Sequence, residues 1–327
     1  MIIVTGGAGF IGSAVVWGLN QRGHNKILIV DVLEKCKKCK NLTHLKFDES
    51  IDKDEFIEKL EHGKFGDTVD GIIHLGAESS TTVYDTGYLI QNNYEYTKRL
   101  ATWCIKNNKR LVYASSAATY GDGKEGFSDE HSHLKKLKPL NPYAHSKHLF
   151  DLWAYKQGLL ENIVGLKFFN CFGPNEYHKE NMRSVALQAF EQIKRDGKMR
   201  LFKSYNAEYK DGYQLRDLVY IKDVVDMTLF IFENKEVNGI FNIGTGKASS
   251  FYEFVTAVFE AMKKEVNIEY IDMPDSIRDK YQYFTQADMS KLIKAGYAKK
   301  TYSLKEAVSD YVKNYLLTGE LYLGKRE

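Results

Sequence analysis

The chain has 327 residues, enough for a large core in one α/β unit or in two closely built lobes. Its 46 basic and 43 acidic residues nearly cancel, to +3, which gives no reason to expect a nucleic acid or an anionic membrane as partner. The composition, 43% hydrophobic, is that of a globular protein; no apolar run is long enough to cross a bilayer, and "MIIVTGG" opens directly as a strand with no secretory lead-in, so a cytoplasmic location is expected.

The first predicted strand is "IIVT" (2–5), and "VTGGAGFIGS" carries it into a helix over 10–22. Gly7, Gly9 and Gly12 fit G-x-G-x-x-G, while Gly6, Gly9 and Gly12 fit a G-x-x-G-x-x-G variant. A turn this tight needs glycine, because a Cβ would block a pyrophosphate lying on it; the helix N-terminus then offers free N–H groups to the phosphates. The second strand, "ILIVD" (27–31), ends on Asp31, about twenty residues past Gly12, at the ribose-binding position of a dinucleotide site. Asp31 favours a free 2′-hydroxyl and hence NAD. Lys35, Lys37, Lys38 and Lys40, with Lys53 further on, could instead neutralise a 2′-phosphate, so these residues alone leave NAD and NADP open. Cys36 and Cys39 form a lone C-x-x-C without the second Cys or His pair that zinc would need; a reduced surface loop and no metal are expected.

Further strands follow at "GIIHL" (71–75), "RLVYAS" (110–115), "IVGLKFF" (163–169) and "GIFNIG" (239–244), with helices predicted over 54–62, 88–107 and 143–160. Repeated strand–helix–strand units imply an α/β fold, a doubly wound parallel sheet with helices on both faces. The segments 171–216 and 245–327 are mixed and rich in Tyr, Phe and Lys. They are expected to form a smaller substrate lobe, with 1–170 and about 217–244 forming the dinucleotide domain.

"NPYAHSKHLF" (141–150) starts the 143–160 helix, with Pro142 suited to its first turn. Tyr143 and Lys147 are then four apart on one helix face. A phenol near its ordinary pKa of ~10 is a poor base at neutral pH, and a neighbouring ammonium is expected to stabilise the phenolate. Tyr-x-x-x-Lys alone is a weak motif. It gains weight from Ser115 and Ser116 at the end of the fourth strand, where ligands bind in such sheets. Ser116 is read as the hydroxyl that holds the substrate oxygen.

Together these residues resemble the extended short-chain dehydrogenase/reductase family of nucleotide-sugar enzymes. The glycine and Tyr/Lys motifs mark the wide family. "SSTT" (79–82), the His178–Lys179 pair after Gly173–Pro174 and "YQYFTQAD" (281–288) look like its heptose 6-epimerases. The likeness runs nearly end to end, through "NNY" (92–94), "RDLVYIKDV" (216–224) and "GIFNIGTG" (239–246). It implies a Rossmann fold, a sugar-nucleotide substrate and a homo-oligomer, pentameric in the resembling enzymes. It also implies that Tyr143 and Lys147 are the catalytic pair and Lys179 a second acid/base. For the cofactor it implies contacts from Phe10 and Ile11 over the pyrophosphate, from Asp31 and Val32 at the ribose, and from Leu75, Gly76, Ala77, Glu78, Ser79, Asn92, Lys147, Cys171 and Lys179. Lys38 and Lys53 fall where the family meets a 2′-phosphate, which moves the expected cofactor to NADP. For the substrate it implies Ser79, Asn170, Asn181, Gln188, Phe202, Lys203, Ser204, Tyr205, Arg216 and Tyr281. Asn181 stands where the heptose epimerases usually have serine, and Gln188 where they have histidine. Leu75 and Glu78 also differ from the pattern, and about six residues are inserted between Phe202 and Arg216.

The implied reaction is inversion at C-6 of an ADP-linked heptose through a transient ketone, with no net oxidation. A 4,6-dehydratase would need a carboxylate pair after the active serine; Ala117 and Ala118 stand there instead. A hexose 4-epimerase shares the triad but leaves His178 and Lys179 unexplained. A non-catalytic dinucleotide-binding regulator would have no use for Tyr143, Lys147 and Ser116 together.

Overall fold

The computed structural model describes residues 1–32, 37–80, 85–278 and 281–324. Seven parallel strands form the main sheet: β1 (Ile2–Thr5), β2 (Ile27–Asp31), β3 (Glu49–Asp52), β4 (Gly71–His74), β5 (Arg110–Ser116), β6 (Val164–Phe168) and β10 (Gly239–Ile243). Their order is β10-β6-β5-β4-β1-β2-β3, parallel throughout. Every residue of β1, β2, β4, β6 and β10 is buried, which is why these strands read as continuous apolar runs. The edge strand β3 was not visible in the sequence, because of "ESID" only Ile51 is buried. From β1 the chain builds outward first toward β3 and then, from β4, the other way. The reversal opens a crevice at the carboxyl ends of β1 and β4, the place where ligands bind in open α/β sheets.

Helices cover the sheet: α1 (Phe10–Gln21), α2 (Lys53–Glu61), α3 (Thr86–Leu89), α4 (Tyr96–Lys106), α5 (Pro142–Lys156) and α7 (Ile221–Glu233). The helix expected over 88–107 is instead α3 and α4 joined by a wide π turn over Ile90–Glu95. The helix expected over 143–160 stops at Lys156 and is followed by a 3-10 turn at Leu159–Glu161.

Two small sheets lie beyond the strand ends. One joins β7 (Asn170–Phe172), β9 (Leu215–Tyr220) and β11 (Ala248–Ser250); the other pairs β8 (Met199–Phe202) with β12 (Ile268–Ile271). Helices α6 (Val185–Asp196) and α8 (Phe251–Ala261) pack together beside them. Asp217 ties this region down. Its buried carboxylate accepts the N–H groups of Thr245 (2.8 Å), Gly246 (2.9 Å) and Ala287 (3.0 Å). These bonds offset part of its desolvation, which still raises its pKa.

No helix among the described residues is long and apolar enough to cross a membrane, and none of their His, Cys, Asp and Glu side chains cluster as metal ligands. Cys36, Lys35, Thr81 and Thr82 lie outside the described residues. Cys39 is disulfide-bonded, so the reduced loop expected at the C-x-x-C is corrected there.

Candidate active site

A cavity of about 730 Å³ fills the crevice. Its dinucleotide end is built by the turn between β1 and α1. Gly6 has a φ of +65°, and a Cβ on Gly12 would come 2.0 Å from the Gly6 carbonyl oxygen. Helix α1 therefore starts in direct backbone contact with the turn, and its first turn holds no acidic residue. That combination suits a pyrophosphate: bare N–H groups, no Cβ in the way and a positive dipole end. A Gly12→Ala change is expected to destabilise the fold by about 1–3 kcal/mol and to abolish dinucleotide binding, measurable as a lower thermal midpoint that added dinucleotide no longer raises.

Asp31 ends β2 with its side chain fully engaged. One oxygen accepts the Ala8 N–H at 2.9 Å, and the other accepts the Val32 N–H at 2.8 Å and an ion pair from Lys38. Lys38 thus lines the cavity beside the ribose position. Lys53 does not: its ammonium rests on Asp54 at 2.6 Å, on an exposed face. Gly7, Val32 and Asn92 do not line the cavity either, Val32 being exposed, whereas Gly6, Gly9, Phe10, Ile11, Gly12 and residues 75–79 do. The 75–79 segment is held by Asn93, which sequence reasoning missed. From the π turn, Asn93 accepts the Glu78 N–H at 2.9 Å and donates to the Glu78 carbonyl at 2.9 Å and to Ser146 Oγ at 3.0 Å. The signal was an asparagine doublet inside a helical pattern, too weak to single one out. Beneath α1, Asn175 donates to Ser13 Oγ at 2.8 Å and accepts the Leu323 N–H at 2.9 Å.

The reacting end is made by β5 and α5. Asn141 caps α5 by accepting the Ala144 N–H at 2.8 Å, and Pro142 opens the helix, so Tyr143 and Lys147 enter the cavity from its first turns. Ser116 joins them from the end of β5. Burial raises the pKa of Tyr143, opposed by the hydrogen bond with Ser116. This corrects the expectation that the Lys147 ammonium lowers the phenol: burial raises it, and the group that opposes burial is Ser116. Lys147 is itself buried, which pushes it down to about 8, with Asp151 pulling the other way. Lys179 reaches the same cavity from the turn Tyr177–Met182, its Nζ 5.2 Å from the centre of the Phe10 ring. Asn170 and Cys171 line the cavity between these groups, and burial pushes the Cys171 thiol up to about 12, so it stays a thiol at neutral pH.

A second cavity, about 540 Å³, shares Arg183, Val185 and Phe251 with the first. Asn181, Gln188, Phe202 and Tyr281 line it. Arg216 is buried at its back, its guanidinium 5.6 Å from the Phe251 ring and 5.2 Å from the Tyr281 ring. Lys203, Ser204 and Tyr205 line neither cavity: Lys203 and Tyr205 pair with Asp272, and Ser204 bonds within its own loop. Ser79 lies on the wall of the first cavity.

The model of the NAD dependent epimerase/dehydratase family matches residues 2–244. The chain is similar to ADP-L-glycero-D-manno-heptose-6-epimerase of Nitratidesulfovibrio vulgaris, 49% identical over 323 residues that span 99% of this chain and all of that one. Among solved structures it is similar to the Helicobacter pylori ADP-L-glycero-D-manno-heptose-6-epimerase, with a TM-score of 0.78 at 27% identity over 96% of this chain and 95% of that one. It is also similar to Thermus thermophilus UDP-glucose 4-epimerase in complex with NAD, with a TM-score of 0.76 at 26% identity over 96% and 98% of the two chains.

Proposed function

Because the chain belongs to the NAD dependent epimerase/dehydratase family, we propose that this cleft inverts C-6 of the heptose in ADP-D-glycero-D-manno-heptose. The observation that carries the reading is one cavity holding Ser116, Tyr143, Lys147 and Lys179 next to a glycine-lined helix N-terminus. Gly6, Gly9 and Gly12 would seat the pyrophosphate of a nicotinamide dinucleotide, Asp31 and Lys38 its adenosine ribose, and Lys147 its nicotinamide ribose. When bound, that group supplies reversible hydride transfer.

The protein's own part is to hold and move protons at the C-6 oxygen. Ser116 holds that oxygen, and Tyr143, as the phenolate, takes its proton as the alcohol becomes a ketone. Rotation about the C-5–C-6 bond then presents the other face, and Lys179 gives a proton of its own to the oxygen in its new place; proton exchange with water then restores the phenolate and the ammonium. The ammonium of Lys147 keeps the phenol's charge balanced. The second cavity would receive the ADP moiety, with Arg216 and Tyr281 at its base, in a substrate lobe of 171–216 and 245–327. A cytoplasmic homo-oligomer that supplies heptose for lipopolysaccharide belongs to the same reading. Purified protein incubated with the ADP-heptose and no added cofactor should interconvert the two C-6 configurations by NMR. No change there, with turnover of a UDP-hexose at C-4, would overturn the heptose assignment.

We assign NADP rather than NAD, on the ammonium of Lys38 at the ribose end of the cavity. An ammonium facing a phosphate dianion makes a charge-assisted bond, so Lys38→Ala should weaken NADP on the order of tenfold. NAD binding should change little, and Lys53→Ala should affect neither cofactor, because Lys53 rests on Asp54. Titration of both variants with both cofactors decides the point; equal losses for NADP and NAD on Lys38→Ala would remove the assignment.

A further inference from the structure

Beneath the reacting end lies a charged network that the proposed chemistry does not use. Asp151 and Lys167 are both completely buried and paired at 3.0 Å. Asp151 sits on α5, four residues beyond Lys147, and also accepts Ser115 Oγ at 2.7 Å and Tyr113 OH at 3.0 Å, both from β5. Lys167, in the middle of the apolar strand β6, donates in addition to Thr119 Oγ1, and Thr119 Oγ1 donates to the Ser116 carbonyl at 2.7 Å. Ser116 Oγ in turn accepts the Ala118 N–H at 3.1 Å. Even the backbone is shaped to admit the network: a Cβ on Gly165 would come 2.5 Å from the Tyr113 hydroxyl. A buried pair of this kind costs desolvation that an apolar pair would avoid, so its presence here calls for a use.

We propose that Asp151 and Lys167 are positioning residues for the reacting group: they fix the Ser116 turn against α5 and set the charge state of Lys147. The inference rests on the reading of Ser116, Tyr143 and Lys147 given above. Geometrically, the pair connects β6, the turn that follows β5 and the helix that carries Tyr143. A chain of hydrogen bonds therefore runs from Lys167 through Thr119 to the backbone of Ser116. Electrostatically, Asp151 touches Tyr113 from β5 and Lys167 from β6, and its charge acts on Lys147, His148 and Tyr143 of its own helix and on Tyr120 and His131. Burial holds both histidines down to about 4, so neither is charged at neutral pH. At Lys147 burial is the larger influence and the carboxylate of Asp151 opposes it, while His74 from β4, pushed down to about 3 by burial and by Lys147, is neutral as well.

The test is a titration of the free protein labelled with [ε-13C]lysine. Lys147, pushed down to about 8, should separate from surface lysines and be identified by its loss in Lys147→Met. Asp151→Asn removes the charge that raises Lys147, so its titration should move to lower pH, by about half a unit or more. Lys167→Met leaves Asp151 without its partner, so the titration should move to higher pH. In turnover, Asp151→Asn should lower kcat on the order of tenfold, with little change in KM, through the displaced Ser116 and Tyr143. The basic limb of its pH profile should move with the Lys147 resonance. Should either single variant fail to fold, Asp151→Asn with Lys167→Gln keeps a neutral hydrogen-bonded pair, and the Lys147 resonance should still move down. Opposite shifts in the two single variants support the proposal. A Lys147 resonance that stays in place while only thermal stability falls overturns it, leaving the pair a purely structural contact. The labelled titration needs no substrate, so a wrong choice of sugar would remove the turnover arm and leave this one standing.

Discussion

Replacing Tyr143 by phenylalanine is expected to lower turnover by at least on the order of a hundredfold while leaving dinucleotide binding intact. The ring is half-buried in the first turn of α5, where it lines the cavity, so phenylalanine fills the same space and only the hydroxyl is lost. What that hydroxyl does is visible in its surroundings. Its hydrogen-bond partner is Ser116, and burial otherwise favours the neutral phenol. At neutral pH the resting group is thus a proton donor to whatever oxygen takes the place beside Ser116. It serves as a base only after losing its own proton, as a phenolate that the ammonium of Lys147 on the same helix face would stabilise. The fold should lose little, about 1 kcal/mol for one hydrogen bond. Stopped-flow turnover together with dinucleotide titration separates the two effects, and near-normal turnover would exclude Tyr143 from the reaction.

Lys179→Met should suppress epimerisation to a similar extent, again with dinucleotide binding spared. The reason lies in the geometry of an exocyclic carbon. A ring-carbon epimerase can swing its whole sugar past one tyrosine, but rotation about C-5–C-6 carries the oxygen to a new place. Tyr143 is fixed on α5, and Lys179 comes from the turn after β7; both reach the same cavity. That turn is well anchored: the Lys179 N–H donates to the Glu176 carbonyl at 3.0 Å, and the buried Glu176 carboxylate accepts Ser184 Oγ at 2.7 Å. Two groups acting in one cycle should not add, so Tyr143→Phe with Lys179→Met should be hardly slower than either alone. If Lys179→Met raises KM and leaves kcat unchanged, the lysine serves only to bind substrate.

The parts of this site that could be read from the sequence are those written in local spacing. The glycine turn, Asp31 at the end of β2 and the Tyr143/Lys147 pair each lie within one element, and the structure brings them into one cavity. What escaped depends on partners distant in the chain. Lys53 looked like a phosphate ligand until its neighbour Asp54 was seen to hold it. Lys203 and Tyr205 sit in a stretch resembling a substrate loop, yet both turn to Asp272 across the small sheet. Strand β3 was lost because an edge strand buries only one face, and "ESID" has a single apolar residue to show for it. Lys167 did leave a trace, a lysine inside an otherwise apolar strand, but its meaning needed Asp151 from another element.

The bonds from Asn175 to Ser13 and Leu323 span 162 and 148 positions of sequence. They place late-translated residues directly under the helix whose N-terminus forms the phosphate seat. On a ribosome, β1, the glycine turn and α1 emerge first, and Asn175 can reach Ser13 as soon as it is made, but its side-chain oxygen has no N–H to accept until the segment around Leu323 arrives. An unpaired carbonyl oxygen at a buried position costs about 1–3 kcal/mol, so a partly synthesised chain holds this corner of the site weakly. Long-range closure of this kind is also slow. The dinucleotide seat is therefore among the last features of the molecule to become firm, although its motif is the first to be translated.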